Sequence, residues 1–204
     1  MNRPGALRTG LLLAGCGSDA PEPAAMSSER GSTPGAGPVA TQTNAVATAA
    51  LPPCPELPRA KPRSDGLPAA VLDCLGAGPA VRLSDLRGTP MVLNVWAAWC
   101  TNCDREMPLL ADVQSKAGSR LRFFGVHYKA ARDYGLRSAA DFGVTFPSVQ
   151  DEDGDLIARE LQAFAPPQTF FVTADGRIAG RKIGEIQSVK ELDALIEQYL
   201  GVTV

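Results

Sequence analysis

Cys100 and Cys103 stand with two residues between them in WAAWCTNCDREMP, just after an apolar run. Sulfurs so spaced can exchange disulfides, supply part of a metal site, or staple a turn. The residues that follow show how they are held. Met107, Leu110 and Val113 recur at helical spacing, and Gly118 follows where a helix can end. The pair thus sits at the start of a helix. A helix N-terminus leaves several backbone N–H groups without intrahelical partners. The summed peptide dipoles also place about half a positive charge there. Both favour a thiolate at Cys100, expected to be the exposed, attacking sulfur. Cys103, one turn in, is placed to resolve a mixed disulfide by attacking Cys100.

The other chemistries fit less well. Structural zinc takes four ligands, and the chain has no second CxxC and a single histidine, His127. A copper carrier using Cys100, Cys103 and His127 is the main binding alternative. It lacks the CxxxC spacing of related metallochaperones, and His127 otherwise reads as a polar residue at a strand end. A peroxidase would need a threonine just ahead of a single reactive cysteine, where Ala98 and Trp99 stand. The expectation is a redox enzyme that needs no metal and no cofactor.

The elements that must position the pair can be read outward from it. GTPMVLNVWAAWC reads as a central strand buried on both faces. RLRFFGVHY is a second strand, and residues 131–142 form a second helix. TFFVTADGRIAGRKIG holds two β-rich runs around Asp175-Gly176, a hairpin signal. SVKELDALIEQYL opens with a capping box, Ser188 and Glu191. Val189, Leu192, Leu195, Ile196 and Tyr199 then form one apolar face. The order strand, helix, strand, helix, hairpin, helix predicts an α/β domain with a mixed sheet. Asp151, Asp153 and Asp155 alternate as in a calcium loop. However, Gly154 falls at loop position four rather than six, and Gln162 stands where the bidentate Glu belongs. A plain Asp-Gly turn is expected there.

LNVWAAWCTNCDREMP resembles the active-site signature of TlpA/ResA-like thioredoxin-fold oxidoreductases. Leu93, Asn94, Trp96, Ala97, Trp99, Cys100, Cys103, Glu106 and Pro108 match it. APPQTFFVTADGRI is similar to a second family segment, and the likeness spans about residues 68–203. The resemblance implies a thioredoxin fold, a central mixed β-sheet flanked by helices. Residues 144–164 would be the TlpA-type strand–helix insertion. It implies a cis-proline at Pro167, beside the sulfurs, presenting the backbone of residue 166 to a partner's extended segment. Glu106, about one turn beyond Cys103 on the same face, could move a proton to or from Cys103. The plainer alternative is an exposed surface glutamate. Asn94 takes the place of a buried aspartate of ordinary thioredoxins, which leaves Glu106 as the relay. Trp99, Asn94, Thr101 and Asn102 are supporting residues.

The same resemblance implies an extracytoplasmic thiol-disulfide oxidoreductase acting on protein thiols and disulfides. A reductase is favoured, keeping apocytochrome c or other secreted thiols reduced, with a membrane electron donor of the CcdA/DsbD type. CTNC departs from the commoner CxPC. Asn102 restores a donor near the Cys100 sulfur, which should stabilise the thiolate and make the couple more oxidising. A disulfide oxidase or isomerase therefore stays open as the alternative.

The chain has 204 residues and a formal net charge of −2. No polybasic face points to nucleic acid, and no apolar stretch is long enough to span a membrane. Residues 1–16, ending Leu13-Ala14-Gly15-Cys16, resemble a bacterial lipoprotein signal. In that class Cys16 is lipidated and anchors the protein to the membrane; an unused signal would leave it secreted. Its apolar core is shorter than the usual secretory h-region. Residues 17–66, rich in Ala, Pro, Gly, Ser and Thr, read as a disordered tether and lead-in. The thioredoxin-like domain is expected over 67–204. Two cysteines remain, Cys54 and Cys74. The stretch around them resembles the lead-in of actinobacterial members of the family and implies a structural disulfide. If joined, they stabilise by about 3 kcal/mol in the chain-entropy picture. A second redox pair relaying electrons to Cys100 and Cys103 is the alternative.

Overall fold

The computed structural model describes residues 51–204. The expected signal, the lipidation site Cys16 and the tether as far as residue 50 lie outside the described residues. Among the described residues no helix is long and apolar enough to cross a membrane.

Seven strands form one mixed sheet. In chain order the elements are β1 (Val71–Cys74), β2 (Val81–Arg82), β3 (Met91–Trp96), α1 (Thr101–Ala117), β4 (Arg122–Tyr128) and α2 (Arg132–Asp141). Then come β5 (Ser148–Asp151), α3 (Asp155–Leu161), β6 (Gln168–Val172), β7 (Ile178–Ile183) and α4 (Val189–Leu200). Across the sheet the strands run β2-β1-β5-β4-β3-β6-β7. The β3–β4 and β4–β5 pairs are parallel and the other four antiparallel. This is the thioredoxin-type architecture expected from the sequence. β5 and α3 together make the expected strand–helix unit between α2 and the β6–β7 hairpin.

β3 is buried along its whole length, as its unbroken apolar run requires. Its side chains alternate between two cores. Val92 and Trp96 pack with α1 and α4 residues such as Met107, Leu110, Leu192 and Ile196. Met91, Leu93 and Val95 face the other side, with Phe124, Val126, Ile157 and Phe170. Asn94 lies between Val92 and Trp96 in this alternation, so a polar residue occupies the face that α1 covers.

Two expectations are corrected. The chain does not become ordered only at Leu67. Leu51 and Cys54 are buried in the cores, the Ala60 N–H donates to the buried Asp85 at 3.0 Å, and Gly66 bridges Arg177. The lead-in from residue 51 is part of the domain. Strands β1 and β2, absent from the sequence expectation, extend the sheet beyond β5. The Ser188–Glu191 cap is present: the Glu191 N–H donates to Ser188 Oγ at 3.2 Å, and Glu191 Oε2 accepts from the Gln187 N–H.

Candidate active site

Cys100 is the N-cap of α1, with extended backbone. Its sulfur accepts a hydrogen bond from the Cys103 N–H at 3.1 Å. This is an orphan donor of the first turn, used as the helix-start logic anticipates. The two cysteines are joined, S–S 2.05 Å, so the structure holds the oxidised form. The expectation of an exposed Cys100 needs correction. Cys100 is only 6% exposed, and Cys103 is fully enclosed. Cys100 is still the more accessible of the two residues.

The neighbours of the pair are open. Trp99 is 53% exposed, and its indole N–H donates to the Lys129 carbonyl at 3.0 Å. Thr101 and Asn102 are exposed. Asn102 does not act as expected. The donor to the Cys100 sulfur is the Cys103 N–H, whereas the Asn102 side-chain oxygen accepts from Arg105 at 2.6 Å. The Cys103 N–H is present whatever residue occupies position 102.

The Pro166–Pro167 bond is cis. Gln168, next in the chain, pairs with Val95. Pro167 therefore stands at the end of the sheet from which β3 leads into Cys100. The Pro167 carbonyl accepts from the Gly184 N–H at 3.0 Å, which ties this corner to the end of β7.

Beneath α1 lies a buried polar cluster. Glu106 is fully buried, not the surface residue of the plainer alternative. Its Oε1 accepts from Asn94 Nδ2 at 2.8 Å, and its Oε2 from the Ile186 N–H at 2.9 Å. Asn94 Nδ2 also donates to Thr169 Oγ1 at 3.1 Å, and Asn94 and Thr169 are register partners on β3 and β6. Burial pushes the Glu106 carboxyl up to about 7; the two hydrogen bonds pull the other way, and Glu185 and Glu191 add to the rise. A carboxyl poised near neutrality, one turn from Cys103, can exchange a proton at physiological pH.

His127 stands near the end of β4, as the sequence suggests, but it is not at the surface. It is completely buried on β4, its ring 4.7 Å from that of Trp96. α2 packs so closely that a Cβ on Gly135 would come within 2.5 Å of the imidazole. Neither ring nitrogen has a partner among the described residues, and burial draws its pKa down to about 4. Among the described residues no group of three or more His, Cys, Asp or Glu side chains could hold a metal ion. The copper site on Cys100, Cys103 and His127 is not assembled.

Cys54 and Cys74 are bonded to each other, S–S 1.99 Å. Both are 4% exposed and belong to the core on the α3 side of the sheet. β4 and β5 stand between β1, which carries Cys74, and β3, which leads to Cys100.

Sequence reasoning missed Arg105, Thr169, Glu185 and Ile186. Each makes a contact that spans the fold, up to 80 positions apart.

Comparison with known proteins agrees with this geometry. The family described as AhpC/TSA matches residues 65–181. The thiol:disulfide interchange protein DsbE of Pseudomonas fluorescens biotype C is 33% identical over 133 residues, covering 65% of this chain and 72% of that protein. The thiol-disulfide oxidoreductase ResA of Oceanobacillus iheyensis is 33% identical over 127 residues, covering 59% of this chain and 60% of ResA. Among solved structures, MTB dsbF in its mixed oxidised and reduced forms superposes with a TM-score of 0.57 at 25% identity, covering 65% of this chain and 98% of that one.

Proposed function

Because the chain belongs to the AhpC/TSA family, among its DsbE- and ResA-type thiol-disulfide oxidoreductases, we propose that it is an extracytoplasmic protein-disulfide reductase working through Cys100 and Cys103. One observation carries the assignment of roles. The Cys100 sulfur meets a backbone N–H at a helix start, while Cys103 is enclosed one turn from an ionisable buried carboxyl.

In the reduced enzyme the Cys100 thiolate attacks a substrate disulfide. A mixed disulfide forms, and one substrate sulfur leaves as thiolate and takes up a proton. Glu106 accepts the Cys103 proton. The Cys103 thiolate then attacks the Cys100 sulfur, restoring the 100–103 disulfide and releasing the second substrate thiol. Two electrons have passed to the substrate. Re-reduction by a donor dithiol runs the sequence backwards, with Glu106 returning the proton as Cys103 leaves. Asn94 can serve both states of Glu106. Its Nδ2 donates to the carboxylate, and its Oδ1, which has no partner among the described residues, can face a protonated carboxyl when the amide turns over.

The finer assignment is a TlpA-type member of the actinobacterial sort. Cys16 would be lipidated and residues 17–50 would tether the domain to the membrane. A CcdA/DsbD-type membrane protein would supply electrons, with substrates such as apocytochrome c. The Cys54–Cys74 bond supports an extracytoplasmic site, because such bonds persist in oxidising compartments. Pro167 and Trp99 would flank the substrate segment. The reduction potential of the 100–103 couple tests the direction of flow. A value near that of thioredoxin, about −270 mV, is expected; one near that of DsbA, about −120 mV, would make the protein an oxidase.

A further inference from the structure

We propose that Arg105 and Glu185 form a clamp that positions Glu106 for disulfide exchange, an inference that rests on the role just given to Glu106. Arg105 and Glu106 are consecutive on α1 and point to opposite environments, one exposed and one buried. Both reach the same loop between β7 and α4. Arg105 grips the Glu185 carboxylate as a fork, Nε to Oε1 at 2.9 Å and Nη2 to Oε2 at 2.6 Å. The same Nη2 donates to Asn102 Oδ1 at 2.6 Å. The next residue of the loop, Ile186, gives its N–H to Glu106. The preceding one, Gly184, gives its N–H to the Pro167 carbonyl. Three successive loop residues thus hold the cis-proline corner, the surface guanidinium and the buried carboxyl. The guanidinium carries that hold to the middle of CTNC.

An ordinary exposed ion pair has little energetic weight. This one is bidentate, and both ends are tied to groups of the site. Its electrostatic effect has a definite sign. Facing Glu106 are Asn94 from β3, with Thr169 of β6 behind it; Cys103 on its own helix; Glu185 and the Ile186 N–H from the loop; and Glu191 from α4. The two anions among these are each matched by a cation, Glu185 by Arg105 and Glu191 by Lys182. Removing Arg105 leaves the Glu185 charge unmatched beside Glu106. Removing the Glu185 charge leaves Arg105 unmatched instead. The two losses break the same contact and act on Glu106 in opposite directions.

The test is a carbon-13 NMR titration of the full-length oxidised protein, labelled at the glutamate side-chain carboxyl. The Glu106 resonance is identified by its loss in Glu106→Gln. Arg105→Gln should move the Glu106 midpoint upward by roughly half to one pH unit, and Glu185→Gln should move it downward by a similar amount. Arg105→Lys, which keeps the charge and loses the fork, should fall between Arg105→Gln and the native protein. Midpoints that stay fixed, or that move the same way in both charge-removing variants, overturn the clamp. A merely structural contact would shift both the same way through loosening. The titration needs no turnover, so a failed clamp is distinguishable from failed disulfide reduction, which an insulin reduction assay reads separately.

Discussion

Two disulfides occupy this domain, and burial does not tell them apart. Cys54 and Cys74 are each 4% exposed; Cys100 and Cys103 are 6% and 0% exposed. What differs is the polar group each sulfur faces. Cys100 meets the N–H of Cys103 at the positive end of a helix. Cys74 lies 2.9 Å from the Ala77 carbonyl and 3.7 Å from that of Ser148, and Cys54 lies 3.5 Å from Ser148 O. A donor stabilises a thiolate, whereas a carbonyl oxygen repels one and favours the protonated thiol. Chain separation differs as well: three residues for one bond and 20 for the other. The longer loop removes more freedom from the unfolded chain. Backbone polarity at the sulfur thus suits the proposed division, one bond for exchange and the other for holding the lead-in against the sheet.

The sharpest way to break this comparison is to remove each pair in turn. Cys100→Ser should abolish insulin reduction. Cys103→Ser should leave attack intact but stall resolution, so a mixed disulfide at Cys100 accumulates and appears as a mass adduct. The double variant Cys54→Ala/Cys74→Ala should retain turnover while losing about 3 kcal/mol of stability in urea unfolding. If that variant folds and cannot turn over, the relay role returns and the division between the two bonds fails. In the fully reduced protein, Cys100 should be alkylated first at neutral pH and the Cys54 and Cys74 thiols last.

That division was only half legible in the sequence. The exchange site was, because its determinants are local: a CxxC, a helix pattern after it, and a buried strand before it. β3, β4 and α4 were legible through long apolar periods. β1 and β2 have four and two residues and lie among prolines and glycines, so no period could announce them. The lead-in looked too polar and proline-rich to order, and a covalent bond from Cys54 supplies what its composition lacks. Glu106 could be placed on the right helix face, but not at its depth, since charged residues are seldom fully enclosed. Its partner Ile186 arrives from the loop after β7, and Thr169, which shares Asn94 with it, from β6. His127 misled for the same reason: a polar residue at a strand end proved to be core, sealed by Gly135.

Glu106 sharpens the comparison, because it is a fully enclosed carboxyl one turn along α1 from Cys103. Its carboxyl is raised from 4.5 to about 7 in the folded protein. The neutral form is thus favoured by folding. That stabilisation is fully present below about pH 4.5 and is lost as pH rises towards 7, by up to about 3 kcal/mol. Unfolding free energy should fall across this window. Glu106→Gln should flatten the fall and leave the variant more stable than the native protein at pH 8. The same substitution should remove the matching inflection from the pH profile of exchange. A profile that keeps its inflection would take Glu106 out of the proton path.

The smallest effect expected is at Asn102, where CTNC departs from CxPC. Proline there removes the Asn102 N–H and the contact with Arg105, but leaves the Cys103 N–H on the Cys100 sulfur. Position 102 lies in the first turn of α1, where a helix tolerates proline. Asn102→Pro should therefore change the reduction potential by no more than about 30 mV, tenfold in the exchange equilibrium. A shift of twice that size towards the reducing side would mean that residue 102 does feed the thiolate. Donors at the exchange site would then be set by the CxxC insert rather than by the helix start alone, and the contrast with the carbonyl-facing pair would depend on one side chain position.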